Sequence, residues 1–355
     1  MIKVIHFGTT NSFSGGENVV CQIITMFKKN PNYEMVYCTP DGPIRRSLEE
    51  RNIPYIMLEK LSISEMKRAI KEYKPDIIHA HDIRASVLAT IVAREIPIVS
   101  HVHANFTNMN KWSLKAYLYR ICSVRLSHIF WVSKSALKDY RYSKAILTKS
   151  SILLNVMDAG LLKREMDEDN NSYNYDVIYL GRITHQKNPE RLIEVLRTVV
   201  KKLPDVKIGI IGDGDLRQKA EDLTDKYGLR NNIDFLGFLE NPLKVLHDGK
   251  VLILVSRFEG TPMCALEAMS LGVPIVSTPT DGLKELIDDG ITGYLSNNDT
   301  ELAEKIVRIV TDKEIHDRLS DNALKKAAIL MDLDQYYNIL LSTYNNLFYK
   351  TQAGL

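Results

Sequence analysis

Glu259, Gly260, Thr261, Pro262, Met263 and Glu267 form the densest run of chemistry-bearing residues in this sequence. They follow an apolar run at 251–255. Thr261 suits a helix N-cap and Pro262 the first helical position, while Gly272 just past Leu271 supplies a stop. The pattern predicts a strand feeding a helix whose N-terminus lies at the carboxyl end of a sheet. Free N–H groups and the positive end of the helix dipole can hold a diphosphate there. Glu259, in the loop, can accept hydrogen bonds from sugar hydroxyls, and Glu267, over a turn into the helix, from a ribose diol. Two ordinary surface glutamates around a helix start would show the same spacing.

A second strand end carries Gly181, Arg182 and Lys187. An Arg and a Lys five residues apart offer a fork and a mobile point charge to the diphosphate of a donor. A pair of solvated basic residues on a loop is the plainer alternative. Gly15-Gly16 follows the first strand and lets backbone approach a ligand closely, though a simple tight turn uses the same pair. The full G-x-G-x-x-G fingerprint is missing, so nicotinamide binding is not supported. His101 and His103 alternate onto one side near the end of another strand. No nearby acid completes a metal site, and one packed and one functional histidine is the expected division. His79-Ala80-His81-Asp82 ends a strand in the same manner, with no role assigned. Gly212 and Phe238 sit at strand ends in the second half, on an edge where a nucleoside could rest.

The elements that must position these residues alternate along the chain. Apolar runs at 3–7, 35–37, 77–80, 98–102, 128–132 and 152–154 are separated by amphipathic stretches such as 17–28, 62–72 and 84–93. A second series of runs lies at 177–180, 207–211, 233–236, 251–255 and 274–277. Continuous apolar runs without alternation predict parallel strands buried on both faces, the βαβ pattern of a doubly wound α/β sheet. The polar stretch 163–175 reads as a linker between two such domains.

Composition agrees with this architecture. The chain has 355 residues, 45% hydrophobic and 25% charged, with a net charge of +2, which suits two globular domains. Its four cysteines, Cys21, Cys38, Cys122 and Cys264, lie far apart, which suits a reducing cytoplasm and neither a disulfide framework nor a zinc site. The first residues read as a strand and not as a secretory signal, and no apolar stretch approaches the roughly 20 residues of a bilayer span. Residues 111–149 hold nine Lys or Arg against the single acid Asp139, with seven aromatics interleaved. That stretch would favour an anionic membrane surface, while a solvated helical face with inward-packed rings fits it equally. No nucleic-acid recognition motif accompanies the charge.

Taken together, these residues resemble the retaining glycosyltransferase family 4 of the GT-B fold over nearly the whole chain. The E-x7-E arrangement is matched by Glu259 and Glu267, and G-R-x4-K by Gly181, Arg182 and Lys187. Gly272-Val273-Pro274 and Gly290-Ile291-Thr292-Gly293 also fit the family. The usual Asn-Gly-Val-Asp at the domain junction is here Asn155-Val156-Met157-Asp158, and the Lys-Gly pair is Lys187-Asn188. The resemblance implies two Rossmann-like domains facing a central cleft. An acceptor-binding domain would span 1–164 and a nucleotide-sugar domain 172–335, with a terminal helix at about 336–355 returning to the first. It implies Arg182 and Lys187 on the donor diphosphate, Glu259 and His103 on the donor sugar, and Glu267 on the ribose. Gly15, Gly16, Gly212, Phe238 and the backbone of Gly260 to Met263 would complete the donor site. It further implies retention at the anomeric carbon, no metal and no cofactor. The donor would be a nucleotide diphosphate sugar, uridine-linked by expectation, and the acceptor a saccharide or lipid-linked saccharide in surface polysaccharide assembly. The protein would be cytoplasmic or peripheral on the inner membrane face. A nucleotide-sugar epimerase and a non-catalytic binding subunit share this architecture.

Overall fold

Val4, Ile5 and Phe7 at the start of the chain, and Val251 to Leu254 near residue 250, are fully buried, as strands covered on both faces require. In the computed structural model, which describes residues 1–93, 95–103 and 109–353, these runs build two parallel sheets. The first holds β1 (Ile2–Phe7), β2 (Tyr33–Pro40), β3 (Tyr55–Leu58), β4 (Ile77–His81), β5 (Ile98–Val102), β6 (His128–Trp131) and β7 (Ser150–Ile152). The second holds β8 (Val177–Leu180), β9 (Ile208–Ile211), β10 (Ile233–Gly237), β11 (Val251–Leu254), β12 (Ile275–Ser277) and β13 (Gly293–Leu295). Their orders are β3-β2-β1-β4-β5-β6-β7 and β10-β9-β8-β11-β12-β13. Both are doubly wound, Rossmann-like α/β sheets. In each, the order reverses beside the first strand, at β1/β4 and at β8/β11, and ligands of such sheets bind at the carboxyl ends there.

The helices between strands follow from local sequence. Helix Pro189–Lys202 opens on a proline, carries Glu190 in its first turn and ends on Lys201 and Lys202, matching charge to the helix dipole. Its Leu192, Val195, Leu196 and Val199 are buried against the second sheet's core. Helix Ile63–Tyr73 is capped by Ser62, whose side chain accepts from the Glu65 amide. Helix Asp299–Thr311 is capped in the same way by Asn298.

The chain divides into one unit of Met1–Asn155 with the closing segment from Leu333, and a second of Val156–Asp332. This corrects the reading of 163–175 as the linker and of 164 as the first domain's end. Residues Ala159–Asp167 form a helix started by the Asp158 side chain, which accepts from the Leu161 amide. Met157, Leu162 and Met166 bury into the second unit's core with Leu243, Leu246 and Leu266. Leu162 and Met166, one turn apart on one helix face, together with Met157 just before the helix, outweigh the polar residues around them. The closing helix Leu333–Gln352 packs on the first unit through Tyr336, Leu340 and Tyr344. Tyr344 lies against Phe27 and Tyr33, and Asn345 accepts from the Tyr33 hydroxyl at 2.8 Å.

Two edge strands, β3 and β13, lie outside the apolar runs read from the sequence. The first is half-buried over most of its length, and the second has three residues and contains Gly293. A Cβ on Gly293 would lie 2.4 Å from the Ile275 carbonyl oxygen, so the residue that weakens the strand signal is the one that lets β13 close on β12.

Candidate active site

The ends of β8 and β11 meet at the switch point of the second sheet, and their loops are stitched together. Arg257 donates to the His185 carbonyl at 3.1 Å and to the Asn188 side chain at 2.8 Å, and its amide donates to the Gln186 carbonyl at 2.9 Å. Gln186 Nε2 in turn donates to the Phe258 carbonyl at 3.1 Å. This lattice brings Lys187 Nζ to 2.6 Å from Glu259 Oε1, both side chains nearly buried. Burial penalises the Lys187 ammonium, but the Glu259 carboxylate beside it outweighs that penalty and holds its pKa above the usual range. Gln186 Nε2 lies 3.4 Å from the other Glu259 oxygen. Arg182 differs from Lys187: it is exposed, and its guanidinium has no hydrogen-bond or ion-pair partner among the described residues. Asn188 adopts a left-handed backbone with φ 59° at the start of helix Pro189–Lys202. Asparagine tolerates that conformation better than other side chains with a Cβ, so it suits this position.

The helix after Glu259 begins one residue later than the sequence suggests. It spans Met263–Ser270, with Pro262 as its N-cap at ψ 125°, in place of Thr261 as cap and Pro262 as first residue. Proline's ring fixes φ but leaves ψ free, and here ψ stays extended. Gly260, Thr261 and Pro262 are buried at the helix start, and Met263 is half-buried. Glu267 lies on the partly open side, where burial, aided by Glu165, pushes its carboxyl up to about 7. Gly212, at the end of β9, has φ 131°, and a Cβ there would fall 2.0 Å from the Gly181 carbonyl oxygen. Only glycine lets the β9 loop touch the Gly181 backbone. Phe238, just past β10, presents its ring to solvent at 70% exposure.

In the first unit, Gly15 and Gly16 open helix Gly15–Phe27. A Cβ on Gly16 would meet nothing within 4 Å, so neither conformation nor crowding requires glycine there and the space is open. Glu17 is buried and accepts from Thr10 Oγ1 at 3.0 Å and Ser14 Oγ at 2.5 Å, which fixes the preceding loop. At the ends of β4 and β5, His103 Nε2 lies 2.7 Å from His81 Nδ1, and the His103 amide donates to Asp82 Oδ1 at 3.0 Å. His6 Nδ1 lies 3.0 Å from His81 Nε2, and His79 Nδ1 lies 2.6 Å from the Tyr344 hydroxyl. His101 is fully buried with both ring nitrogens unpartnered among the described residues. The ring nitrogens of His6, His79 and His81, and those of His81, His101 and His103, come within 4.8 Å of one another. The two strand-end histidine pairs noted in the sequence thus join with His6 into five imidazoles on one sheet face.

Residues 163–326 match the family described as glycosyl transferases group 1, and residues 13–146 match glycosyltransferase family 4. The chain is a family 4 glycosyltransferase of the GT-B fold. It is 26% identical to the Escherichia coli UDP-Gal:alpha-D-GlcNAc-diphosphoundecaprenol alpha-1,3-galactosyltransferase, covering 92% of each chain. With an uncharacterized glycosyltransferase of Methanocaldococcus jannaschii it shares 28% identity over 59% of its own length, and it spans 57% of that protein. The structure of Anabaena HepE in complex with UDP and glucose superposes with a TM-score of 0.85, at 19% identity, over 98% of this chain and 100% of that one.

Several residues that shape this glycosyltransferase were not singled out by sequence. Gln186 and Arg257 tie the two loops that carry Lys187 and Glu259; Gln186 lies inside the G-R-x4-K motif and Arg257 two residues before Glu259. Glu17, one residue past Gly15-Gly16, fixes the glycine loop, and Asp82, whose strand end was noted without a role, holds the His103 backbone. Gly282 carries no local signal at all. A Cβ on it would sit 1.3 Å from the Gly260 carbonyl oxygen, so the start of helix Asp281–Leu286 presses directly on the loop after Glu259.

Proposed function

We propose that this glycosyltransferase moves a sugar from a UDP-sugar to a saccharide or lipid-linked saccharide acceptor, with retention at the anomeric carbon and without a divalent metal or other cofactor. The observation that carries the reading is the exposed Arg182 standing at the same sheet edge as the buried Lys187–Glu259 pair. An ammonium has three N–H donors, and Glu259 takes one of them, leaving two for a diphosphate. Arg182 adds a planar fork without a competing acid. Together with the start of helix Met263–Ser270, these donors would stabilise charge developing on the departing nucleoside diphosphate. Glu259 Oε2 can accept from a donor-sugar hydroxyl while Oε1 holds Lys187. Glu267 would reach the ribose, Phe238 would offer its face to the base, and Gly212 and the backbone from Gly260 to Met263 would line the site. Gly15, Gly16 and His103 are the further residues that the family pattern assigns to the donor. The uridine preference draws on the UDP bound to Anabaena HepE and on the donor named for the E. coli relative.

The lipid-linked acceptor and a place at the inner membrane face in surface polysaccharide assembly draw on the same relative's name and on helix Leu114–Cys122. Tyr119, Phe130, Trp131 and Tyr140 pack inward, whereas Leu114, Tyr117, Leu118 and Ile121 are exposed, with Trp112 beside them 74% exposed. Positions i, i+3, i+4 and i+7 make one apolar stripe. Lys111, Lys115 and Arg125 around it are exposed too, a combination that suits an anionic lipid surface. Among the described residues no helix is long and apolar enough to cross a membrane.

The test is nucleotide release from a panel of UDP-, GDP- and ADP-sugars in EDTA, with NMR of the anomeric proton of the product. Turnover of a UDP-sugar that survives chelation, retains configuration and falls about 100- to 1,000-fold in Arg182→Ala is the expected result. Inversion, dependence on a divalent ion, or conversion of the donor to its epimer without acceptor would each overturn the reading.

A further inference from the structure

Strand β4 runs into a helix without a loop, and the residue at the elbow is strained. β4 ends at His81, and helix Asp82–Val92 begins at the next residue, where Asp82 has φ 68°. Four described residues other than glycine have positive φ: Asn52, Lys74, Asp82 and Asn188. Asn52 and Lys74 follow the ends of helices. Asp82 and Asn188 instead stand at helix starts, after β4 and β8, the switch-point strands of the two sheets. Such a backbone is costly for a residue with a Cβ and persists only where the surroundings hold it. A sharp, strained turn from strand into helix exposes the side chain at its apex above the carboxyl end of the sheet.

Asp82 is held there from both sides. Its carbonyl accepts from Ser86 Oγ at 2.7 Å, Ser86 Oγ lies 2.7 Å from Ser100 Oγ, and Ser100 Oγ lies 2.8 Å from the Tyr119 hydroxyl. Ser86, Ser100 and Tyr119 are fully buried. A carbonyl can only accept, so Ser86 gives its hydrogen to Asp82. Ser100 then donates to Ser86, and Tyr119 to Ser100. The row has one hydrogen order, and it ends on the elbow. On the other side Asp82 Oδ1 accepts from the His103 amide at 3.0 Å, which ties the elbow to the end of β5.

One protein donor leaves this carboxylate largely unsatisfied. Oδ2 has no hydrogen-bond or ion-pair partner among the described residues. Asp82 is half-buried, and Oδ2 is not one of the sealed polar atoms of this unit, so it opens onto solvent. Glu17, the other carboxylate near the β1/β4 switch point, is by contrast filled, with Thr10 on one oxygen and Ser14 on the other. Burial disfavours the Asp82 charge and raises its pKa, only partly countered by the His103 amide and the Lys115 ammonium. A carboxylate accepts from hydroxyls and repels phosphate oxygens, so the group missing here is an O–H donor.

We infer that Asp82 receives, on Oδ2, a hydrogen bond from a hydroxyl of the saccharide acceptor and so orients that sugar on the first unit. The nature of the acceptor rests on the function proposed above, whereas the elbow and its open oxygen do not. A hydroxyl of the donor sugar has the same chemistry, and the test separates the two sources.

The experiment compares two rates in the full-length protein: hydrolysis of the UDP-sugar without acceptor, and transfer from the same donor to a probe. The probes are the uncharged octyl glycosides of glucose, galactose, N-acetylglucosamine and N-acetylgalactosamine. Asp82→Asn suits the test because asparagine also tolerates a left-handed backbone and keeps an oxygen for the His103 amide, while the charge is lost. A parent-like melting curve is expected, with the ratio of transfer to hydrolysis lowered roughly 10- to 100-fold. Ser86→Ala, which releases the carbonyl at the elbow, should lower the same ratio by a smaller factor, and it decides the matter if Asp82→Asn does not fold. An unchanged ratio in the folded variant would overturn the inference. Equal losses in both rates would overturn it too, because they would move the contact to the donor sugar. Hydrolysis by the parent protein with no transfer to any glycoside would remove the saccharide assignment. No turnover of any donor would strike the function proposed above, and the inference with it.

Discussion

Replacing Lys187 by methionine removes the cation from a buried pair and leaves the Glu259 carboxylate with nearly the same burial. At 2.6 Å the gross attraction is about 6 kcal/mol with an effective dielectric of 20, much of it offset by desolvation of both groups. Deleting one partner exposes the other's desolvation cost, so Lys187→Met should destabilise the second unit by about 3–5 kcal/mol. For a unit of this size that lowers the melting temperature by roughly 6–20 °C. The double variant with Glu259→Gln should recover most of the loss, because a well-packed neutral pair often matches an ion pair. Both tryptophans, Trp112 and Trp131, lie in the first unit, so their fluorescence would miss the event. Urea unfolding by far-UV circular dichroism, with hydrogen exchange of the peptides around 177–200, reports the right unit. A Lys187→Met protein within 1 kcal/mol of the parent at pH 8, or a double-variant cycle with no coupling, would refute the claim that this pair is buried and mutually dependent.

Further outcomes follow from the same geometry. Gly16→Ala should fold with unchanged stability yet weaken UDP-sugar binding, checked by thermal unfolding and isothermal titration; a stability loss would mean that the open space beside Gly16 is occupied by the fold itself. Glu267 has a folded pKa raised to about 7, so its contribution is fully present below the unfolded value of 4.5 and is lost as pH rises through about 7. Glu267→Gln should therefore gain about 1–3 kcal/mol over the parent at pH 8 and match it near pH 4.5 in urea titrations. His6 and His103 behave oppositely. Their folded values lie well below 6.5, so the first unit should lose stability as pH falls from about 6.5 towards 4, seen as a falling urea midpoint in tryptophan fluorescence. Liposome flotation should show this glycosyltransferase rising with anionic and not neutral vesicles, and Leu118→Ser with Ile121→Ser should abolish it.

What the sequence determined was the alternation and its punctuation. Continuous apolar runs announced parallel strands because both faces of such strands are buried, and Pro189, Pro262 and Gly272 marked helix ends because their backbones permit little else. Glu259, Glu267, Arg182 and Lys187 were legible as strand-end chemistry for the same reason: a doubly wound sheet delivers strand ends to one edge. Local spacing could not show that Lys187 and Glu259, 72 residues apart, form one buried pair while Arg182 stays exposed, since the choice depends on how two adjacent loops are laced by Arg257 and Gln186. Nor could it place the division of the chain at Asn155, where three buried side chains outweigh a polar stretch. The five imidazoles were visible only as two separate dipeptide-spaced pairs and a lone His6. Strand order, which sets β1 beside β4 and β4 beside β5, is a property of the whole sheet, and it alone turns alternating positions on three strands into one hydrogen-bonded row.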